Sequence, residues 1–461
     1  MDGLLFGPLG VAAVKRRRLI LVTLCLAVLV AQVDTAVVNL AIHPIGDYFA
    51  AGVNTLQWVV DSYNLVYAIL LLTGGLLADL YGRRRIFMIG VAIFTAASLL
   101  CACAPSISIL IAGRTLAGLG AAMLLPASLA IIRVVWHDPG ERGRALGIWA
   151  ACNGLAMAIG PTLGGVLISQ FGWRAIFLVV IPASLAALIV AVPSLPESSD
   201  PGDRHFDASA QVIGAVALGS LAFAAIEFHA LPGIAGAAFV VAVLALVLFI
   251  KVEAKRGSAA LVPLDIFATG KFRGAITATA GMTFGMYGVL FLLPLTWQST
   301  GRLHATTAGI ALIPMALVFV VVSPLSGMLT ARFGTRLMTA GGVAVIGIGL
   351  LVIGLSAHRV SLVPAEIGLS LTGLGMGLAT GPLMGAAVGA ATASRSGTAS
   401  ALVNVARMAG ATIGVAVLGT VFAIAHRGPD GLRVAMVTGG LVQLMCAAFS
   451  WRTTRAIVAP A

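Results

Sequence analysis

Long apolar stretches, separated by short polar loops, run through almost the whole chain. An α-helix needs about 20 residues to cross the hydrocarbon core of a bilayer, and on that length the pattern predicts about fourteen spans. Continuous apolar runs, rather than ten-residue segments of alternating polarity, indicate helices and not a membrane β-barrel. The predicted spans are residues 19–42, 55–80, 86–105, 107–134, 143–169, 174–195, 207–228, 233–253, 273–297, 305–331, 336–356, 360–390, 397–425 and 431–451.

The composition also indicates a membrane protein. Of the 461 residues, 60% are hydrophobic and 10% are charged, whereas soluble domains carry about 25% charged residues. The formal net charge of +12 comes from basic residues scattered between the spans, and membrane topology and an anionic leaflet explain them. Nucleic acid is therefore not expected as a partner.

The distribution of lysine and arginine predicts the orientation. Most of the 28 basic residues fall on the side that holds the amino terminus, and the positive-inside rule places that side in the cytoplasm. Lys15–Arg18 precede an apolar run that is too long for the core of a signal peptide, so a retained first span is expected. The sequence thus predicts a multi-pass protein of the inner (plasma) membrane with both termini cytoplasmic.

Two polar segments divide the chain. Pro193–Arg204 follows the sixth predicted span, and Lys251–Arg273 follows the eighth. Both interrupt the apolar pattern, and the first is rich in proline, glycine and acidic residues. The predicted units are an amino-terminal six-helix bundle at 1–195, a linker with two extra spans at 196–272, and a carboxyl-terminal six-helix bundle at 273–461.

A short polar motif connects the second and third predicted spans. Gly75–Arg85 holds one carboxylate, Asp79, a glycine turn at Gly82 and three arginines. A related segment, Gly327–Arg336, lies in the corresponding hairpin of the second half and carries Ala331 in place of Asp79. A duplicated half in a polytopic helical protein indicates a transporter whose site lies between the halves.

Ionisable side chains inside predicted spans are the first candidates for mechanism, because a charge at the bilayer centre costs about 2.5–3.5 kcal/mol on insertion scales. Asp34 in the first span and Arg114 in the fourth fall at similar heights, so an ion pair is expected. The pair either couples transport to protonation of Asp34 or is a permanent structural contact. Asp61, in the outer part of the second span, is either a second proton site or a mouth residue that water reaches.

Two further features lie inside spans. Arg407, well within the thirteenth span, either lines a central cavity or packs against helix-end carbonyls. In the fifth span, Gly160, Gly164 and Gly165 allow a neighbouring helix backbone to approach closely. Pro161, in the same segment, removes a backbone hydrogen bond and permits a bend.

Together these motifs resemble the fourteen-span drug:proton antiporter branch of the major facilitator superfamily over nearly the whole chain. Asp34–Ala41 is similar to the first-span motif of that branch, and Gly75–Arg85 is similar to its loop motif. Arg114–Ala122 is similar to its fourth-span motif, with Ala117 in place of the usual glutamine. Gly160–Gly165 resembles the fifth-span motif that is associated with antiporters.

The resemblance implies an all-α polytopic fold, in which two six-helix bundles related by a pseudo-two-fold axis rock about a central site. It also implies proton-coupled export of small lipophilic or cationic compounds, with H+ as the coupling ion and no cofactor or metal. A loop latch is expected to hold the cytoplasmic side of the outward-open state against the thirteenth span. The fifth-span motif is expected to form a seam between the bundles.

Four groups of candidate residues follow. The proton-coupling candidates are Asp34, Arg114 and Asp61, and the latch candidates are Gly75, Asp79, Gly82, Arg83 and Arg84. The seam candidates are Gly160, Pro161, Gly164 and Gly165. The candidates for an aromatic and methionine-lined substrate cavity, each of which is alternatively a packing residue, are Gln32, Asn39, Trp58, Tyr63, Asn153, Met157, Phe284, Met286, Tyr287, Asn404, Arg407 and Met408.

Other functions stay open at this point. A transporter of the same fold could serve a single metabolite, or import it together with protons. An enzyme would need clustered His, Cys or carboxylate side chains, but the seven histidines are dispersed and the five cysteines lack the spacing of a zinc site. A sensor would need a soluble output domain, which we do not expect. The expected partners are a small-molecule substrate and the lipid bilayer, and the protein is expected to be a monomer or a homodimer.

Overall fold

The computed structural model describes residues 8–200, 207–257, 260, 262, 264–391 and 396–454, and within these ranges it is helical without a strand. Within the described residues, thirteen helices are long and apolar enough to cross a membrane, or fourteen if the bent fifth segment is one span. The segments are α1 (Pro8–Phe49), α2 (Val53–Tyr81), α3 (Arg83–Ala102), α4 (Ile107–Val135), α5 (Pro139–Phe171), α6 (Ala175–Ser194), α7 (Ala208–Glu227), α8 (Pro232–Arg256), α9 (Gly270–Ser299), α10 (Ala305–Phe333), α11 (Leu337–Leu355), α12 (Val363–Gly389), α13 (Ser396–Ile424) and α14 (Gly428–Thr453). The predicted all-α polytopic fold is confirmed.

The fifth segment, α5, is bent by 40° between Gly140–Ala156 and Ile159–Phe171. Pro161 lacks the N–H that would bond the carbonyl of residue 157, and its ring crowds the same turn. The bend therefore lies where the sequence predicts a weak point in the helix.

A glycine turn separates α2 from α3, and a similar glycine turn separates α10 from α11. Gly82 has φ of 106° and Gly334 has φ of 84°, a region that side chains with a Cβ rarely adopt. At Gly82, a Cβ would also lie 2.7 Å from the Glu197 carboxylate. The duplicated motif thus forms equivalent hairpins in the two halves of the chain.

The extra pair of helices, α7 and α8, packs at the boundary between the two halves. α7 contacts α8, α2 of the first half and α13 of the second half. α8 is mostly exposed, and its large apolar side chains, such as Phe239 and Leu244, form an outer apolar surface. The pair therefore covers the α2–α13 boundary, with α7 inside and α8 outside.

The two halves are packed together at one end. We call the end that holds the α1–α2 loop the outer end, after the predicted topology, and the opposite end the inner end. Buried apolar residues from the outer parts of α1, α2 and α6 belong to one continuous core with the second half. Buried apolar residues from the inner part of the first half form a separate core, which Met408 of α13 joins. The outer end of the molecule is therefore closed in this structure.

Candidate transport site

Asp34 and Arg114 form a buried ion pair between α1 and α4. Arg114 Nη1 donates a hydrogen bond to Asp34 Oδ2 over 2.5 Å, and both side chains are 2% exposed. The two helices run in opposite directions, which brings residues at similar heights together. Each of the two charges is buried away from lipid and water, and each is compensated by the opposite charge of its partner.

The second helix, α2, supplies further contacts to this arginine. Arg114 Nε donates to the Val59 carbonyl over 3.1 Å, and its guanidinium carbon lies 4.5 Å from the centre of the Tyr63 ring. The backbones of α2 and α4 come so close here that a Cβ on Gly118 would lie 2.5 Å from the Tyr63 carbonyl oxygen. Arg114 is therefore held in position by α2 as well as by Asp34.

Asp61 is enclosed by protein in the outer half of α2. Its exposure is 0%, and neither carboxylate oxygen has a hydrogen-bond partner within the part of the chain that the structure describes. Asn64, three residues further along α2, is also buried, and its side-chain amide has no hydrogen-bond partner among the described residues. Asp61 is therefore not a mouth residue in this conformation.

Arg407 lies midway along α13, at the boundary with the first half. Its half-buried side chain lies near Tyr67 of α2 and Tyr287 of α9. Its Nε has no partner among the described residues. The Tyr67 ring centre is 6.1 Å from that of Tyr63, so aromatic side chains connect this cluster to Arg114. Of the two sequence-based alternatives, the geometry favours a central position.

Two glutamine side chains bridge the halves at the outer end. Gln57 of α2 donates to the carbonyls of Val415 and Ala416 in α13, both over 2.8 Å. Gln298 of α9 donates to the Leu40 carbonyl of α1 over 3.1 Å. These bonds must break when the outer end opens.

The seam candidates of α5 lie against α1. A Cβ on Gly160 would lie 2.6 Å from Ala36 Cβ, and a Cβ on Gly164 would lie 2.6 Å from Val37 Cγ1. These glycines therefore set the close approach of two helices within the first half.

Gly165 faces the second half instead. A Cβ there would lie 2.7 Å from the Ala305 carbonyl of α10, and Thr306 Oγ1 donates to the Gly165 carbonyl over 3.0 Å. On the other side of the same contact, Gly309 packs against the Pro161 carbonyl. The motif thus lies where the halves meet at the outer end.

The loop between α2 and α3 is tied to the chain that follows α6. Arg83 donates through Nε and Nη2 to Asp79 Oδ1, over 3.1 and 2.8 Å. The Glu197 carboxylate accepts from the backbone N–H groups of Arg84 and Arg85, at the start of α3. Asp79 thus pairs with an arginine, and Glu197 caps the backbone at the start of α3. The amino-terminal end of a helix is a favourable place for an anion. Sequence reasoning did not single out this residue.

The other latch candidates have different surroundings. Arg84 Nη2 donates to the Val192 carbonyl of α6 over 2.6 Å. At Gly75 a Cβ would make only an ordinary contact, 3.6 Å from Pro126 Cβ, and the close helix approach occurs at Gly74 against Ala122. The predicted contact of the latch with α13 belongs to the outward-open state, and because the outer end is closed here it stays a prediction.

Trp58 does not face the space between the halves. Its indole N–H donates to Glu227 Oε1 over 3.0 Å, and its ring packs against Phe223, both on α7. Asn54 of α2 also donates to Glu227, over 3.3 Å. The predicted cavity position of Trp58 is therefore corrected to a contact with the extra helices, because α7 covers that face of α2.

The remaining cavity candidates fall into three groups. Tyr63, Phe284, Met286 and Met408 are buried packing residues, and Asn39 is buried with Nδ2 donating to the Thr35 carbonyl. Gln32, Tyr287, Asn404 and Arg407 are half-buried, and Asn404 Nδ2 donates to the Ser400 carbonyl. The side chains of Asn153 and Met157 lie outside the described residues.

Fold and site together define a helical membrane transporter with two packed halves and a buried ion pair near their boundary. Residues 24–415 match the Major Facilitator Superfamily, and the chain belongs to this superfamily of secondary transporters. The predicted family is thereby confirmed, and the protein is a multi-pass membrane transporter of small molecules.

Two relatives and one solved structure resemble this chain over most of its length. The chain is 37% identical over 393 residues to the multidrug resistance protein Stp of Mycobacterium tuberculosis, covering 85% of this chain and 73% of Stp. It is 32% identical over 409 residues to the multidrug efflux pump LfrA of Mycolicibacterium smegmatis, covering 88% of this chain and 81% of LfrA. A bacterial homolog of the human lysosomal transporter Spinster, inward-facing and unoccupied, has a TM-score of 0.69 at 18% identity and covers 95% of this chain and 97% of that one.

Proposed function

We propose that the protein is a proton-coupled exporter of small lipophilic compounds in the plasma membrane, with both termini in the cytoplasm. The observation that carries the proposal is the Asp34–Arg114 pair, a titratable ion pair at 2% exposure inside a transporter fold. The similarity to proteins named as a multidrug resistance protein and a multidrug efflux pump supports the direction of transport. H+ is the coupling ion, and no other cofactor is needed.

Asp34 acts as the proton carrier in this proposal. Arg114 also contacts the Val59 carbonyl and the Tyr63 ring, and neither contact involves the Asp34 carboxylate. Protonation weakens only the attraction between α1 and α4, so the pair can be made and broken without releasing the arginine from α2. A permanent structural pair would need no titration, and this is the alternative that mutation of Asp34 tests.

Asp61 serves as a second proton site. Its enclosed carboxyl group has no cation near it among the described ion pairs, so the neutral form suits this closed outer end. Opening of the outer end separates α2 from α13, admits water to Asp61 and allows it to exchange its proton.

Alternating access requires the two ends to close in turn. In this structure the bonds of Gln57 and Gln298 close the outer end. When they break, the Asp79–Arg83 loop latches the inner end against α13, and Pro161 and Gly165 of α5, which meet α10 of the second half, serve as the seam on which the halves rock. The protein acts as a monomer, with α8 facing lipid, and a homodimer through the apolar surface of α8 is the alternative.

Proton exchange in everted membrane vesicles tests this function. Energised vesicles have an acidic interior, and addition of an exported lipophilic compound should release protons, which a trapped pH-sensitive dye reports. A protonophore should abolish accumulation of the compound. Movement of protons and compound in the same direction would instead support the rival function, a symporter that serves one metabolite.

A further inference from the structure

The cluster around Arg407 is rich in hydrogen-bond donors. A guanidinium carries five N–H donors and no acceptor, and the Nε of Arg407 is unpaired among the described residues. Tyr67 and Tyr287 pack in the same cluster near Arg407, and each adds one O–H donor. The three side chains come from α13, α2 and α9, so the cluster joins the two halves near the middle of the helices.

Among the residues that the structure describes, no acidic side chain forms an ion pair with Arg407. Of the carboxylates inside the spans, Asp34 is committed to Arg114, and Asp61 is enclosed without a cation. Glu227 lies at the outer end of α7, where it accepts from Trp58. A charge at this depth in the membrane is costly unless a partner or a ligand compensates it.

We propose that the central site recognises lipophilic organic anions, such as aromatic carboxylates, with the anionic group bound by Arg407, Tyr67 and Tyr287. This inference rests on the proposed export function and names its substrate class. A guanidinium and two hydroxyl groups match the acceptor oxygens of a carboxylate, whereas the guanidinium repels a cation. The assignment narrows the lipophilic compounds expected from the family resemblance to those that carry an anionic group.

Export suits such a substrate. A cell interior that is electrically negative drives an anion outward, so the membrane potential adds to the proton gradient. The aromatic body of the ligand would lie between α2, α9 and α13, next to apolar side chains such as Met408 and Val405.

Three probes that share one aromatic body test the proposal: pyrenebutyrate, its carboxamide, and a pyrenylbutyl-trimethylammonium cation. Equilibrium binding to the purified full chain in detergent is measured by pyrene fluorescence. The carboxylate should bind at least about tenfold more tightly than the carboxamide, as expected for a charge-assisted hydrogen bond. The cation should bind most weakly. Equal affinities, or a preference for the cation, would overturn the proposal.

Variants of the cluster separate charge from shape. Arg407→Gln should remove the preference for the carboxylate, so that the carboxylate and the carboxamide bind with similar affinity, and the retained binding of the carboxamide shows that the variant is folded. Arg407→Lys should keep most of the preference, and Tyr67→Phe should lower it. Arg433→Gln, on the exposed outer part of α14, is the matched control and should change neither affinity. Loss of the preference in an Arg407→Lys protein that still binds the carboxamide would contradict the role of charge.

Accumulation of the probes in everted vesicles distinguishes a failure of the anion assignment from a failure of the export function on which it rests. If everted vesicles accumulate the carboxamide as well as they accumulate the carboxylate, the export function stands and the anion assignment fails. If none of the three probes binds while energised vesicles still exchange protons for another lipophilic compound, the export function stands and the anion assignment fails. If no lipophilic compound is exchanged for protons, the export function fails as well.

Discussion

Asp34 and Arg114 form the pair on which coupling is proposed to depend, with Arg114 Nη1 and Asp34 Oδ2 2.5 Å apart and both side chains 2% exposed. Neither charge is stable alone at such depth, because lipid and protein solvate an isolated ion poorly. The pair also joins α1 to α4. A change in the charge of Asp34 therefore changes the packing of α1 against α4.

Asp34→Asn should abolish gradient-driven export, since the amide keeps the shape of the side chain but cannot carry a proton. We expect the rate of proton-coupled efflux in everted vesicles to fall at least about tenfold, a change of about 1.4 kcal/mol. Asp47→Asn, on the same helix but 70% exposed at its outer end, is the control and should leave the rate unchanged. Undiminished efflux in Asp34→Asn would leave the pair with only a structural role.

Arg114→Gln should destabilise the folded protein, because it leaves the buried Asp34 without its cation. Loss of one partner of a buried ion pair costs about 3–5 kcal/mol. The double variant Asp34→Asn/Arg114→Gln should recover part of this loss, because no charge is then left unpaired. Unfolding of the purified proteins in detergent, compared in a double-mutant cycle, measures the coupling. Additive losses would show that the two side chains do not stabilise each other.

Trp58→Phe should lower stability without changing substrate affinity. The substitution removes the N–H that binds Glu227 and so loosens α7 from α2. We expect a loss of about 1.5–3 kcal/mol, typical of a hydrogen bond to a charged group. Glu227→Gln should produce a smaller loss, since it keeps an acceptor for Trp58. A reduced affinity for the pyrene probes in Trp58→Phe would instead show that Trp58 lies at the substrate site.

Gly165→Ala should weaken the closed outer end, because the new Cβ would lie 2.7 Å from the Ala305 carbonyl. The backbone cannot yield easily at that point, so α5 and α10 must separate. We expect a lower melting temperature and slower export in vesicles. Gly147→Ala on the same helix is the matched control, because its Cβ would meet no atom within 4 Å. Equal effects of the two substitutions would mean that the seam does not depend on Gly165.

A disulfide across the outer end should stop transport reversibly. Thr306 Oγ1 lies 2.8 Å from Ser169 Oγ, so cysteines at both positions are close enough to pair. Oxidation of Ser169→Cys/Thr306→Cys should hold the outer end closed and block export, and a reductant should restore it. Each single cysteine variant is a control and should resist the oxidant. Full export by the cross-linked protein would show that this end need not open.

The sequence alone determines the helices and the family. A run of about 20 apolar residues must satisfy its backbone hydrogen bonds internally in a bilayer. The local sequence is therefore enough to determine that it forms a helix. The heights of Asp34 and Arg114 follow from counting along helices of known direction. The positive φ values of Gly82 and Gly334 follow from equivalent turn motifs in the two halves.

Only the tertiary structure decided which way the side chains face. Trp58 contacts α7 and Asp61 is enclosed, because both depend on the rotation of α2 against helices far away in the sequence. Glu197 binds the start of α3, and Tyr67 lies near Arg407, although the residues of each pair are more than a hundred positions apart in the chain. In a helix that is apolar on nearly every side, periodicity does not mark one inward face. Packing between helices selects that face, and with it the residues that form the site.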